Sequence, residues 1–212
     1  REGVNQYGDP VDILESGYVR FYELLGFIPK TVSNFTKNVE MIFNKKRDLL
    51  IVVGGGSLPP SMYDRPHEDE LQPNRDRMEE QVIHYCVAHG IPIIATCRGM
   101  QYINVMFGGK LWYHPKLPVN RTRGVDHQVW LVKEQRNIWV NNYHSDCIYE
   151  EGLASCFEPL AIDRENHVVE AYGSDEMKIL ALQWHPERRF ETANAYEETR
   201  KIILDFIQKY VK

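Results

Sequence analysis

The sequence predicts an α/β fold: a mainly parallel sheet covered by helices on both faces, with an antiparallel ribbon inserted towards the C-terminal half. Three observations carry that expectation. Continuous apolar runs at residues 48–53, 91–96 and 178–184 suit strands buried on both faces. Segments with helical spacing of apolar residues alternate with these runs, as βαβ units require. From Asp126 onward the texture changes to short strands separated by turns.

The elements follow in order. Residues 11–26 place Ile13, Leu14, Tyr18, Phe21, Leu24 and Leu25 on one helical face, with Gly26 as the stop signal. Phe27-Ile28-Pro29 opens a short strand, and residues 36–43 read as a second helical stretch. The run ending at Val53 passes into Gly54-Gly55-Gly56. Residues 57–73, rich in Pro, Asp and Glu, form a long surface excursion that suits a lid. A helix at 74–89 turns Met78, Val82, Ile83, Tyr85 and Cys86 inward, and Gly90 separates it from the strand that ends at Cys97. The helix after Cys97 stops near Phe107-Gly108-Gly109. Short strands fall at 127–132, 137–140, 156–163 and 167–172, a buried strand at 178–184, and a closing amphipathic helix at 193–210. The chain opens on a charged residue with no strand ahead of its first helix, so an opening strand is expected to be missing from the start.

Composition narrows the class of partner. With 212 residues, 43% hydrophobic and 26% charged, the chain fits one compact domain over 1–212 with a full-sized core. A formal net charge of -5 argues against a general nucleic-acid or anionic-membrane surface and favours a small-molecule partner. No apolar run approaches the ~20 residues that cross a bilayer, and the first residues do not resemble a signal peptide, so a cytoplasmic protein is expected. Cys86, Cys97, Cys147 and Cys156 are widely spaced with no C-x-x-C pair, which points to neither a zinc site nor a disulfide framework.

The segment Ile93-Ile94-Ala95-Thr96-Cys97-Arg98-Gly99 has the form of a nucleophile elbow. A buried strand aims Cys97 out of the sheet edge, and the N-terminus of the next helix offers unpaired N–H groups and a positive dipole end that favour thiolate. A cysteine nucleophile needs a base and a group to orient that base. Trp184-His185-Pro186-Glu187 leaves another buried strand, and side chains two apart on an extended chain point the same way, so Glu187 can orient His185. In a parallel sheet both strands end at the same edge. Alone, a cysteine after a strand is more often core filling, His-Pro-Glu more often a turn, and a glycine run an ordinary flexible loop. Their conjunction in this order is far more specific.

Thr96-Cys97-Arg98-Gly99-Met100-Gln101, Phe107-Gly108-Gly109 and Gln183-Trp184-His185-Pro186-Glu187 together resemble the class I glutamine amidotransferases, and within them the free-standing γ-glutamyl hydrolase branch. The resemblance runs over nearly the whole chain. It implies a flavodoxin-like three-layer sandwich and a Cys-His-Glu triad of Cys97, His185 and Glu187. It also implies an oxyanion hole from the backbone N–H of Gly55 or Gly56 with that of Arg98. Asn141-Asn142-Tyr143-His144-Ser145 resembles the loop that cradles the glutamyl α-amino and α-carboxylate groups. Gln101 falls where the family contacts that moiety, and His144 looks like the additional histidine of the γ-glutamyl hydrolase branch; taken alone, such a residue is more often a loop histidine satisfied by water.

Arg121, Arg123 and His127 lie in a segment that the resemblance puts on the leaving-group side, where two arginines suit a phosphate. Tyr7-Gly8-Asp9 and Gly26-Phe27-Ile28-Pro29 are similar to bacterial γ-glutamyl-CDP-amidate hydrolases of capsule phosphoramidate synthesis. The expected reaction is cleavage of a γ-glutamyl amide through a thioester, with no metal or organic cofactor. Two other classes remain: a glutaminase subunit that passes ammonia to a synthase, and a binding module on the same fold, which the complete Cys-His-Glu set disfavours. Homo-oligomerisation is equally open.

Overall fold

A computed structural model of the chain describes residues 1–43, 48–63, 71–113 and 123–211. Two short strands, β1 (Glu2–Val4) and β2 (Pro10–Asp12), pair antiparallel ahead of the first helix. This corrects the expectation of a start without strands, although the pair forms its own ribbon apart from the main sheet. Helix α1 runs over Ser16–Leu24, shorter than the apolar spacing suggests, because Ile13 is drawn into backbone pairing with Arg1. Neither a strand at 27–29 nor a full helix at 36–43 forms; the second stretch keeps only a 3₁₀ turn, Val39–Met41.

The main sheet has seven strands: β3 (Leu50–Val52), β4 (Ile93–Thr96), β5 (His127–Leu131), β6 (Arg136–Val140), β7 (Glu158–Asp163), β8 (Val168–Ser174) and β9 (Ile179–Leu182). Their spatial order is β3-β4-β9-β8-β7-β5-β6. Only β3 with β4 and β4 with β9 pair parallel; the remaining ladders, β9 to β8, β8 to β7, β7 to β5 and β5 to β6, are antiparallel. The expectation of a mainly parallel sheet is therefore corrected. The antiparallel strands extend the one sheet instead of forming a ribbon inserted beside it.

The cause is local. Gln135, His167 and Lys178, at φ of 51°, 56° and 54°, close short turns between β5 and β6, β7 and β8, and β8 and β9. A turn that short returns the chain antiparallel, whereas a parallel partner needs a crossover of about a dozen residues or more. Helix α2 (Pro73–His89) belongs to such a crossover, between β3 and β4.

Helices α3 (Arg98–Met106) and α4 (Ala195–Tyr210) complete the layers. Along β4 and β9 successive side chains face opposite ways. Ile93, Ala95, Ile179 and Ala181 join a core with Met78, Val82 and Ile83 of α2 and Met100 and Ile103 of α3. Ile94, Leu180 and Leu182 join a second core with Tyr18, Phe21 and Tyr22 of α1 and Ile203 of α4. The sheet thus lies between two helical layers, and β4 and β9, towards its parallel end, are buried at every position. Fully buried Trp184 donates its indole N–H to Thr199 Oγ1 at 3.1 Å, which pins the end of β9 to α4.

Candidate active site

The parallel pairing of β4 with β9 brings the two motifs together. Thr96 is in register with Leu182, and Cys97 donates its backbone N–H to Leu182 O at 2.7 Å. Both strands therefore release their chains at the same edge, Cys97 from one and His185 three residues beyond the other. Cys97 itself takes the turn between strand and helix, with φ 52° and ψ -110°. The left-handed strain of the elbow sits on the cysteine and not on Gly99. Gly99 is required for another reason: a Cβ there would lie 2.5 Å from Val52 O, so its hydrogen lets α3 approach β3.

His185 is buried at 2% exposure, and its Nδ1 lies 2.6 Å from Glu187 Oε1. That leaves Nε2 to serve the neighbouring Cys97 thiol, whose ionised form the ring favours. Gly54 marks the point where the groups converge. A Cβ on it would lie 2.8 Å from His185 Cε1, 3.1 Å from the Tyr18 hydroxyl oxygen and 3.3 Å from Cys97 Cβ. The Tyr18 oxygen accepts the Gly54 N–H at 2.8 Å and stands 3.5 Å from His185 Nδ1.

The charges follow from this packing. Burial opposes a charge on Cys97, but the neighbouring His185 outweighs it, with His144 and Arg188 adding to the effect, and the thiol sits below its ordinary value of 9.0. Burial likewise opposes a charge on His185, yet the Cys97 thiolate and Glu187 raise it to about 9. Each of the two groups therefore favours the charged form of the other.

The family model for Peptidase C26 matches residues 3–187, a span that includes the elbow, the glycine turn and the His-Pro-Glu segment. The chain belongs to the Peptidase C26 family. Its relatives include the glutamine amidotransferase-like protein YvdE of Lactococcus lactis, 29% identical over 164 residues, covering 68% of each chain. Protein NtpR of Enterococcus hirae is 27% identical over 202 residues, covering 85% of this chain and 83% of its own. The γ-glutamyl-γ-aminobutyrate hydrolase PuuD of Escherichia coli is 26% identical over 175 residues, covering 70% of this chain and 67% of its own. The fold matches that of a GMP synthase subunit from Thermoplasma acidophilum, with a TM-score of 0.64 at 21% identity, over 91% of this chain and 88% of that one.

In this Peptidase C26 chain the other expected residues take varied places. Gly55 and Gly56 adopt φ of 83° and 79° in the turn after β3. The Arg98 backbone N–H opens α3, where no carbonyl one turn earlier can accept it. Its side chain turns away from the thiol into a buried ion network, binding Asp76 and, at 2.6 Å, Glu79. Gln101, one turn along α3, donates from Nε2 to Asp146 O at 3.0 Å and Gln183 Oε1 at 3.1 Å. Tyr143 sets its ring edge-on to the His185 ring at 5.6 Å, with the Arg188 guanidinium 4.6 Å over its face. His144 is buried, with Nδ1 3.1 Å from Asp146 O. Ser145 is half-buried and its carbonyl accepts the Cys147 thiol at 3.3 Å. Arg123 is exposed and reaches Tyr143 O at 3.4 Å. Arg121, and residues 64–70 of the expected lid, lie outside the described residues.

Several structural partners of the site escape the sequence. Arg75, 1% exposed, donates from one terminal nitrogen to Gly55 O at 2.7 Å and Gly54 O at 3.3 Å, and from the other to Val53 O. In a trans peptide the carbonyl of one residue and the N–H of the next point opposite ways. Holding the Gly54 and Gly55 carbonyls therefore fixes the directions of the Gly55 and Gly56 N–H groups away from Arg75. Glu79 in turn binds both Arg75, at 2.6 Å, and Arg98. The Arg75-Asp76-Glu79 spacing on α2 looks like a solvated helix face in sequence, so nothing flags it. Asn141, read as part of a substrate loop, clamps the segment that leaves β9: its amide donates to His185 O at 2.8 Å and accepts His185 N–H at 2.9 Å.

Among the described residues, no group of three or more His, Cys, Asp or Glu side chains is spaced to hold a metal ion, and no helix is long and apolar enough to cross a membrane. What the site offers is a cysteine whose ionisation is eased, a buried imidazole beside it, and nearby backbone donors. That set suits attack on a carbonyl carbon.

Proposed function

We propose that this protein is a cysteine hydrolase of γ-glutamyl amides, with Cys97 as nucleophile, His185 as acid and base, and Glu187 as the group that orients His185. The observation that carries the reading is the convergence of Cys97, His185 and Tyr18 on the side-chain-free position Gly54, with Glu187 2.6 Å behind the imidazole. Membership of Peptidase C26 and kinship with a γ-glutamyl-γ-aminobutyrate hydrolase support the same chemistry.

The Cys97 thiolate attacks the γ-carbonyl carbon, and the electron pair of the C=O bond moves to oxygen. The N–H of Arg98, with that of Gly55 or Gly56, stabilises this oxyanion, each worth about 3 kcal/mol of barrier. His185 gives its Nε2 proton to the amide nitrogen, the C–N bond breaks and the amine leaves a γ-glutamyl thioester. Neutral His185 then removes a proton from water, hydroxide adds to the thioester, and the C–S bond breaks to return thiolate and release glutamate. Gln101, Tyr143, His144 and Ser145 line the glutamyl side.

The narrower substrate is γ-glutamyl-CDP-amidate, in which the leaving nitrogen carries a diphosphate. Arg123, exposed beside Tyr143, supports an anionic leaving group there. A panel of γ-glutamyl amines, glutamine and γ-glutamyl-CDP-amidate, assayed by glutamate release, tests both levels: turnover of γ-glutamyl amines alone sinks the narrower one. No turnover of any member by the wild type, or turnover retained in Cys97→Ala, sinks the hydrolase itself. The kinship with amidotransferase-like proteins supports a second reading, in which a synthase partner receives ammonia. Glutamine hydrolysis that rises on adding such a partner would favour it.

A further inference from the structure

A second carboxylate-imidazole arrangement lies beside the first. Glu170, fully buried in β8, sets Oε1 3.5 Å from His144 Nε2 and 3.4 Å from His127 Nε2. The other nitrogen of His144 faces Asp146 O at 3.1 Å. The Nδ1 contact is a hydrogen bond, whereas Nε2 meets Glu170 as an ion pair without hydrogen-bond geometry. A fully buried carboxylate is costly as a lone charge, and His144 and His127 both face Glu170. The carboxylate therefore favours the imidazolium form of His144, and the same Asp146 carbonyl takes the Gln101 amide one turn after Cys97, which ties the His144 loop to the elbow.

The groups that face His144 agree. Glu170 comes from β8, the Cys147 thiol from its own loop and Cys97 from the elbow; His127 of β5 stands behind Glu170, and the Asp146 carboxylate is turned to Tyr63 at 2.9 Å. Burial works against a charge on His144, but Glu170 outweighs it and raises the ring well above 6.5. Burial would raise Glu170 too, yet His144 and His127 pull it well below the usual carboxylate range.

We propose that Glu170 is a positioning residue of this site, holding His144 as a fixed cation beside the Cys97 centre with His127 sharing the same carboxylate oxygen. The inference rests on Cys97 being the reacting thiol. His185 must gain and lose a proton in each turnover; His144, paired with the fully buried Glu170, keeps its charge throughout. It steadies the thiolate before attack and the oxyanion after it, when His185 has given its proton away.

The test uses the full chain and two readouts that need no substrate: the His144 ring titration by NMR, and the pH dependence of Cys97 alkylation by iodoacetamide. In the wild type the His144 ring should stay protonated through neutral pH. In Glu170→Gln its titration should fall by about one pH unit or more, and Cys97 alkylation should shift to higher pH. Turnover should show kcat down about tenfold with KM changed by less than about threefold, lost first on the alkaline side, and Glu170→Asp should restore part of it. A wild-type His144 that titrates near the ordinary value of 6.5, or a titration unmoved by Glu170→Gln, overturns the proposal. If Glu170→Gln does not fold, the wild-type titration and that of His127→Asn decide, the latter expected to keep His144 charged. A protein that cleaves no γ-glutamyl amide would remove the proposed function and leave the His144 titration to be judged by itself.

Discussion

Two buried histidines, each paired with a glutamate, stand close together and differ in what their second nitrogen meets. His185 has Glu187 on Nδ1 and the Cys97 thiol near Nε2, a partner that both gives and takes a proton. His144 has acceptor oxygens on both sides. The first arrangement permits cycling between two protonation states, and the second, an ion pair with a buried carboxylate, favours one of them. One imidazole is a proton carrier and the other a fixed charge, a distinction made by the partner and not by the ring.

The carboxylates differ as well. Glu187 pairs with His185 and, at 3.7 Å, with Arg188 of its own segment, whereas Glu170 is shared by two histidines from other elements and Glu79 by Arg75 and by Arg98 of α3. A buried carboxylate shared across elements binds them to one another; one shared within its own segment tunes a single ring.

The largest break in this comparison is His185→Gln, which should lower turnover by about 10⁴-fold or more in a glutamate-release assay. His144→Gln should cost far less; equal losses would erase the difference between carrier and fixed charge. The pH dependence carries the same contrast. His185 titrates at about 9 in the folded chain against 6.5 ordinarily, so the stability it contributes is whole below 6.5 and is lost as pH rises through about 9. The Cys97 thiol is shifted the other way, so its contribution fades as pH falls. Alkylation of Cys97 should therefore hold a plateau through neutral pH, and His185→Gln should abolish it.

Next in size is Glu79→Gln. It leaves Arg75 and Arg98 as buried cations short of a partner and should destabilise the chain by about 3–5 kcal/mol in denaturant unfolding. Because burial would raise Glu79 but the two arginines hold it below its ordinary value of 4.5, that stability is whole above 4.5 and is lost as pH falls below it. Gly54→Ala follows, with a methyl driven to within 2.8 Å of His185 Cε1. About 100-fold lower kcat with an unchanged circular dichroism spectrum is expected. Tyr18→Phe is the smallest, about 1 kcal/mol, since it strands the Gly54 N–H that now donates to the phenol oxygen at 2.8 Å.

How much of this was legible depends on whether the signal was local. The elbow at Cys97 can be read because a buried strand, one cysteine and a close-approach glycine sit within seven residues of one another along the chain. Glu187 can be read because it follows His185 by two positions. The helices α2, α3 and α4 keep their apolar period for several turns and lie close to the expected limits. Pairing direction was not legible in the same way, since a run such as Ile179–Leu182 is equally buried by a parallel neighbour and an antiparallel one, and here it has both. Residues 11–15 keep a helical spacing of apolar side chains, but the Arg1 backbone captures Ile13 and no local pattern records that. Glu170 lies within Val168-Val169-Glu170-Ala171-Tyr172, where a lone carboxylate reads as the solvent face of a strand; only the fold brings His127 and His144 to it.

The elbow's backbone has a consequence for what keeps the nucleophile in place. At φ 52° and ψ -110°, Cys97 carries about 1–3 kcal/mol of conformational strain that a glycine would not feel. A copy of this chain with glycine at 97 loses its thiol and relaxes at the same point, with the glycine's greater freedom when unfolded, about 1 kcal/mol, set against that relief. The backbone at the elbow therefore gives the cysteine no protection, and what favours it there is its charge coupling to His185.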